Sequence, residues 1–120
     1  MMKNTSKETG IYYEKQAAAY FGQKGYKIVQ QNFYSPFGEI DLIVRQGKYL
    51  IFVEVKYRSD ERGGHPLEVI DIKKQKRLCK TAAFYCLRKG YPQDTPCRFD
   101  VLAILKDKVH HIENAFPYRE

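Results

Sequence analysis

The spacing of apolar residues predicts two helices in this chain. Apolar residues recur at helical spacing across residues 7–24, and Gly25 then favours a helix end. The predicted buried face of this first helix is Ile11, Ala17, Ala18 and Phe21. A second helix is expected to begin after the capping residue Asp71 and to continue to about Lys89. Its predicted buried face is Ile72, Leu78, Cys79, Ala82, Tyr85 and Cys86.

Alternating and continuous apolar runs predict the strands between and after these helices. The predicted strands cover residues 26–34, 39–45, 48–58, 98–105 and 109–112. The third strand is apolar on both faces at its middle, which is typical of a central strand covered on both sides. The elements follow the order αβββαβ, with a short last strand, which predicts one α/β domain over residues 1–120. In this domain a mixed central sheet is flanked by helices, and a right-handed helical crossover places the fourth strand parallel to the third. The charged, glycine-rich residues 58–65 predict a solvent-facing loop.

Three polar residues interrupt the apolar pattern of the second and third strands. Asp41 lies among core positions, and strand alternation places Glu54 and Lys56 on one face of the third strand. If residues 46–47 form a two-residue hairpin loop, Asp41 pairs with Phe52. Asp41 then lies on the same face as Glu54, as its diagonal neighbour at about 7 to 8 Å by Cα. A three-residue loop would place Asp41 on the opposite face of the sheet, so the cluster depends on the length of this turn.

This cluster has the composition of a hydrolytic metal site. Two carboxylates on an apolar sheet face are costly to desolvate unless a cation neutralises them, and oxygen ligands suit Mg²⁺ or Mn²⁺. A nearby lysine such as Lys56 can orient the attacking water and offset charge on a phosphate. The alternative is structural: Glu54 and Lys56 would form an ion pair, and Asp41 would end a solvent-facing strand edge.

The joined pattern resembles a known nuclease motif. The PD-(D/E)XK motif is similar to the succession of GEIDL at 38–42, a hairpin and FVEVK at 52–56. Together with a basic helix and RFD at 98–100, this pattern more closely resembles the YraN-type family of endonuclease-like proteins. That family is related to the archaeal Holliday junction resolvases. The resemblance implies a restriction-endonuclease-like core. It also implies an endonuclease that hydrolyses phosphodiester bonds in DNA, with branched or otherwise structured DNA as the expected substrate. It implies Mg²⁺ held by Asp41, Glu54 and the Val55 carbonyl, Lys56 as the catalytic lysine, and Glu14 as a further acid from the first helix.

Further residues are expected around this centre. Glu14 lies on the apolar face of the first helix, either at its edge or facing the metal centre. The predicted nucleic-acid contacts are Arg58, Lys73, Lys76 and Lys80, and the predicted supporting residues are Glu39, Arg98 and Asp100. The alternatives are a solvated helix face for the lysines and a structural ion pair for Arg98 and Asp100. The adjacent histidines His110 and His111 are expected to be exposed to solvent.

Composition and charge restrict the partners. The 120 residues carry 21 Lys and Arg against 14 Asp and Glu, a formal charge of +7 that favours a polyanion such as nucleic acid. Because no run resembles a membrane span or a secretory signal, we expect a cytoplasmic protein without a membrane partner. Three cysteines without metal-ligand spacing are expected to be core thiols. Three functions stay open: a Mg²⁺-dependent endonuclease, a non-cleaving nucleic-acid-binding module, and a protein-interaction subunit. An endonuclease that cuts both strands of a junction needs two active sites, which would favour a homodimer.

Overall fold

The computed structural model describes residues 6–58, 70–106 and 108–119, and the side chains of Ser6 and Arg58 are not described. The elements are α1 (Ser6–Gln23), β1 (Lys27–Ser35), β2 (Gly38–Gln46), β3 (Tyr49–Arg58), α2 (Ile72–Lys89), β4 (Cys97–Leu105) and β5 (Lys108–Phe116). The strands form one sheet in the order β1-β2-β3-β4-β5, in which β3 and β4 are parallel and the other neighbours antiparallel. The predicted α/β architecture with a mixed sheet is confirmed. The last strand is longer than predicted, since β5 has nine residues.

The crossover helix α2 begins and ends at the residues that the sequence indicates. The Asp71 side chain accepts a hydrogen bond from the Lys74 N–H at 2.7 Å, which satisfies a backbone donor that the first helical turn leaves without a partner. At the other end Gly90 has φ of 75°, a left-handed conformation that glycine adopts without steric cost. The chain can therefore leave α2 and enter β4 beside β3.

Each helix covers a separate hydrophobic cluster on the sheet. Beneath α1, Ala17 and Phe21 pack with residues of β2, β3 and β4; beneath α2, Leu78 and Tyr85 pack with the other face. Two residues of the predicted helix faces are exposed, Ile11 by 41% and Ile72 by 53%, and Ala18 and Cys86 are half-buried. In both helices burial begins only after the first turns, at Ala17 in α1 and at Leu78 in α2, so periodicity near the helix start overstated the buried face.

The turn between β2 and β3 differs from the predicted one. Gln46 pairs with Tyr49 and Arg45 with Leu50, so the turn residues are 47–48 rather than 46–47. Gly47, the first turn residue, has φ of 58°, and a glycine at that position is a preferred solution for a two-residue hairpin. The predicted pairing of Asp41 with Phe52 is therefore wrong by two residues, but the loop length is even, as expected. Side-chain faces are preserved by a shift of two.

Two expectations concern other parts of the chain. Apart from its first residue, the predicted loop at 58–65 lies outside the described residues. Neither α1 nor α2 is long and apolar enough to cross a membrane, and this finding covers only the part of the chain that the structure describes.

Candidate metal and phosphodiester site

The centre of the site is a pair of carboxyl groups on adjacent strands. β2 and β3 are paired up to Leu42 and Val53, and continuing this register places Asp41 directly opposite Glu54 rather than diagonal to it. Beyond that pair, Oδ2 of Asp41 accepts a hydrogen bond from the Val55 N–H at 2.9 Å. The Asp41 side chain is thus hydrogen-bonded to the backbone of the neighbouring strand, and this contact holds one of its carboxyl oxygens beside β3.

The chain conformation changes at Asp41. Ile40 packs in the cluster beneath α2, whereas Leu42 belongs to the cluster beneath α1. Strict alternation along the strand would have placed both residues on one face of the sheet. Asn32, in the facing part of β1, has φ of 55°, which is uncommon for a residue other than glycine. This irregularity lies beside Asp41, where β2 leaves its regular pairing with β3.

The ionisation of Asp41 depends on the neighbouring carboxyl group of Glu54. Burial, the hydrogen bond shared with the Glu54 side chain and the charge of Glu54 raise the pKa of Asp41 from 3.8 to about 8. The Val55 N–H acts in the opposite direction, and Glu14 adds to the increase. Two carboxyl groups that share a buried position cannot both carry a charge cheaply. In the protein alone, Asp41 is therefore protonated near neutral pH.

The other predicted members of the site surround this pair. Lys56 is half-buried on β3, two residues beyond Glu54. Glu14 is half-buried on α1, and its charge adds to the raised pKa of Asp41. Val55 contributes its N–H to Asp41; its carbonyl as a metal ligand stays a prediction.

A lysine that the sequence analysis did not select contacts the centre. The ammonium of Lys74 forms an ion pair with Oε2 of Glu54, whose side chain is 8% exposed. This oxygen is fully enclosed and accepts no well-aligned hydrogen bond from the described part of the chain, so the ammonium is its electrostatic partner. Lys74 precedes the buried Leu78 by four residues, which places it on the sheet-facing stripe of α2. A lysine on that stripe was the signal that could have revealed it.

A pocket of about 220 Å³ separates α2 from the ends of β2 and β3. Its lining residues are Gly38, Glu39, Glu54, Lys74, Arg77, Leu78 and Thr81. Glu39, predicted to support the site, is exposed and lies at this pocket. Gly38 has φ of 150°, and a Cβ there would lie 3.4 Å from Oγ1 of Thr81. Both the backbone conformation and the close approach of Thr81 therefore favour glycine at that wall.

The exposed lysines predicted to contact nucleic acid lie outside the pocket. Lys73, Lys76 and Lys80 are exposed, and they are not among the residues that line the pocket of Glu54. They are accessible to a phosphate backbone on the outer surface of α2, and nucleic-acid contact by them stays a prediction. The side chain of Arg58, the fourth predicted contact, lies outside the described residues.

Asp100 is the centre of a second polar network, on the α1 side of the sheet. Its carboxylate is fully buried and accepts hydrogen bonds from Arg98 and from the Asn114 N–H, both at 3.0 Å, and it lies 2.7 Å from Nε2 of His111. Burial alone would raise the pKa of Asp100, but the hydrogen bonds to His111, Arg98 and Asn114 outweigh burial and hold it below the usual value. Asp41 and Glu54 are not among these partners, so the expected support of the acidic pair takes the form of a structural ion pair instead.

The expectation that His111 is exposed is wrong. Its side chain is 9% exposed and lies between Asp100 and the hydroxyl of Tyr20, 3.2 Å from Nδ1. Alternation along β5 placed His110 and His111 on opposite faces but could not show that a buried carboxylate from β4 faces one of them.

The acidic pair fits a partly hydrated divalent cation. In the part of the chain that the structure describes, no three His, Cys, Asp or Glu side chains form a closed ligand set. Mg²⁺ is commonly held by only one or two carboxylates while it keeps several waters. Glu54 lines the pocket and Asp41 lies beside it on β2, so the two supply adjacent carboxylates, and the enclosed Oε2 of Glu54 is an acceptor without an aligned donor. The donor set is therefore compatible with such an ion.

The fold is a five-stranded mixed sheet with a helix on each face, which is consistent with a restriction-endonuclease-like core. The carboxyl pair on β2 and β3, with a lysine two residues after the second acid, is consistent with the PD-(D/E)XK class. Comparison with known proteins identifies the family. The model of the uncharacterised protein family UPF0102 matches residues 13–104, and the chain belongs to that family. The YraN-type resemblance seen in the sequence is thereby confirmed.

Relatives from distant bacteria share nearly the whole chain. A UPF0102 protein of Lachnoclostridium phytofermentans is 46% identical over 110 residues, which cover 92% of this chain and 93% of the relative. UPF0102 proteins of Thermodesulfovibrio yellowstonii and Clostridioides difficile are 45% and 40% identical, with coverage of 91% and 92% of this chain and 96% and 98% of their own lengths. The family match at residues 13–104 spans β2, β3 and α2, the elements that carry the acidic pair and its pocket.

Proposed function

We propose that this protein is a divalent-metal-dependent endonuclease that hydrolyses phosphodiester bonds in DNA, with branched or otherwise structured DNA as the expected substrate. The observation that carries the proposal is the pairing of Asp41 with Glu54, which lines a pocket together with the basic residues Lys74 and Arg77. In an ordinary core, two facing carboxyl groups lower stability, because one must be held protonated. Their placement is understandable if a cation normally binds there.

Each side chain has a distinct part in this proposal. Asp41 and Glu54 would hold Mg²⁺ or Mn²⁺, and the resemblance adds the Val55 carbonyl. The ion supplies electrophilic activation of the phosphate and makes a bound water more acidic. Lys56, two residues from Glu54, would orient the attacking water and offset charge on the phosphate. The Val55 N–H holds one oxygen of Asp41 in a fixed orientation.

A second candidate is a nucleic-acid-binding module whose nuclease centre does not cut. The ion pair between Lys74 and Glu54 favours it, because an ammonium already neutralises the carboxylate in the protein alone. This candidate predicts salt-sensitive DNA binding, no cleavage, and no effect of a neutral residue at position 54.

Cleavage assays with four-way junction, flap and single-stranded DNA test the first proposal. In Mg²⁺ or Mn²⁺ we expect cutting that Asp41→Asn, Glu54→Gln and Lys56→Ala each reduce by more than the 10- to 100-fold typical of losing an outer-shell partner of a metal. Glu113→Gln is the matched control, because its carboxylate is 59% exposed and lies on β5. Absence of metal-dependent cutting on all three substrates, or cutting unaffected by Glu54→Gln, would contradict the proposal.

A further inference from the structure

The pocket between α2 and the acidic pair contains both signs of charge. Lys74 and Arg77 contribute two cations from consecutive turns of α2, and Glu39 and Glu54 contribute two carboxylates from β2 and β3. Their formal charges cancel. In this state the pocket has no net attraction for an anion, and the ammonium of Lys74 is already engaged by Glu54.

We propose that this pocket is a phosphate-binding subsite controlled by the metal: a divalent cation on Asp41 and Glu54 displaces the Lys74 ammonium, which then joins Arg77 in binding a phosphodiester of the substrate. This inference rests on the proposed function. It adds a subsite with a stated ligand class, an anionic phosphodiester, and it assigns Lys74 and Arg77 to it.

Electrostatics gives the direction of the coupling. A cation that neutralises Glu54 leaves two basic groups and one acid at the pocket, so its net charge becomes positive. An anion is then attracted at short range, where the partly buried surroundings screen charge less than water does. Because coupling between two ligands is reciprocal, the phosphodiester also raises the affinity of the site for the metal.

The geometry allows Lys74 to change partners without movement of the backbone. Its N–H is fixed by the Asp71 cap, whereas its side chain is 42% exposed and carries the ammonium on a flexible four-carbon stem. Arg77 is exposed one turn further along the same side of α2. The wall opposite is Gly38, where a larger side chain would be strained and would reduce the space available to a ligand.

The first measurement is metal affinity without DNA. Isothermal titration of the full chain with Ca²⁺ should show binding that Asp41→Asn removes. Lys74→Met should raise the Ca²⁺ affinity by roughly fivefold, because the metal no longer competes with an ammonium for Glu54. Lys74→Arg, which retains the charge, should stay close to wild type. If the wild type does not bind Ca²⁺, or Asp41→Asn leaves binding intact, the metal site of the proposed function fails.

The second measurement is the salt dependence of DNA binding. A fluorescein-labelled single-stranded oligonucleotide is titrated at several salt concentrations, with Ca²⁺ or with a chelator, and gels verify that it stays uncut. Each phosphate contact adds about 0.7 to the slope of log affinity against log salt for a single strand. Lys74→Met should reduce the slope by about that amount with Ca²⁺ and leave it unchanged with the chelator.

Lys76→Met is the comparison within the same helix. It removes the same charge from an exposed position, so any effect of this substitution should be equal with and without Ca²⁺. An effect of Lys74→Met that is equal in both conditions, or absent in both, overturns the inference while the metal site can still stand. Circular dichroism checks folding, and Lys74→Gln replaces Lys74→Met if the latter does not fold.

Discussion

At the scale of single residues, the paired carboxyl groups of Asp41 and Glu54 have opposite consequences for stability and for function. Without a cation, the pair holds a proton that free aspartic acid would lose well below neutral pH, since the pKa of Asp41 is raised to about 8. A divalent cation would replace that proton. The feature that lowers the stability of the protein alone is thus the one to which the proposed function assigns metal binding.

This pairing predicts how stability depends on pH in the absence of metal. Between pH 3.8 and about 8 the native protein keeps the Asp41 proton that the unfolded chain has lost, so the free energy of unfolding falls as pH rises through this window. Asp41→Asn removes the ionisable group, so it should increase stability at pH 8 relative to wild type, by on the order of 2 kcal/mol, with a smaller gain at pH 5.

Urea unfolding at pH 5 and pH 8 in the presence of a chelator measures this difference. The quantity compared is the stability of the variant minus that of the wild type, which removes the contribution of other titrating groups. A variant that is less stable than wild type at pH 8, or a difference that does not grow between the two pH values, would contradict the raised pKa. Saturating Ca²⁺ should reverse the order, because only the wild type gains binding energy.

At the scale of secondary structure elements, the network around Asp100 joins β4 to β5. Asp100 is fully buried, and Arg98, His111 and the Asn114 N–H satisfy its two oxygens. This network lies on β4, the strand parallel to β3, and on β5, the edge strand beside it. It therefore holds the edge of the sheet that is remote from Asp41.

Asp100→Asn should lower the free energy of unfolding by about 3 kcal/mol at neutral pH, since it leaves the mostly buried guanidinium of Arg98 without its counter-charge. Chemical denaturation checks the value. Glu113→Gln is the control: its carboxylate is exposed and 3.8 Å from Arg98, so its removal should cost less than about 1 kcal/mol. Because the pKa of Asp100 is lowered, the difference between wild type and Asp100→Asn should shrink in acid, as protonation removes the charge. Equal effects of the two substitutions would contradict this assignment.

The elements themselves were predictable, whereas some contacts between them were not. Asp71 and Gly90 indicate the ends of α2 by local chemistry, and strand alternation indicates that Asp41 and Glu54 share a face. The turn at 47–48 was missed because two pairings of β2 with β3 that differ by two residues place every side chain on the same face of the sheet. The left-handed conformation of Gly47 distinguishes them, and the sequence alone does not show it. Lys74 and His111 were missed because their partners come from other elements, and one sequence does not show which face of a helix or strand receives a distant charge.

At the scale of the whole molecule, the formal charge of +7 predicts binding to nucleic acid that depends on salt. Lys73, Lys76 and Lys80 are exposed along α2, on the helix that also supplies Lys74 to the acidic centre. Because they share α2 with Lys74, we expect their charges to orient a strand over the site, while a lysine on a remote strand would add only to the general attraction.

A triple substitution of Lys73, Lys76 and Lys80 by Gln should reduce the salt slope of duplex DNA binding by up to about three, because each contact adds about 0.9. Fluorescence anisotropy at several salt concentrations measures the slope. The matched control replaces three exposed lysines outside α2 by Gln: Lys27, Lys48 and Lys108. Equal slopes for the two triple variants would show that only net charge matters and that α2 has no special part in binding.

The parallel contact between β3 and β4 also has a consequence for how the chain folds. β1 to β3 are antiparallel neighbours in sequence, as are β4 and β5, whereas the β3–β4 pairing joins residues such as Val53 and Asp100 that are far apart along the chain. Such long-range pairing forms slowly. Until β4 arrives, β3 is an edge strand with an apolar middle, and a charged side chain on an edge strand discourages pairing with another molecule. Glu54 and Lys56 lie on that strand, so we expect the residues proposed for catalysis also to discourage aggregation of the unfinished sheet.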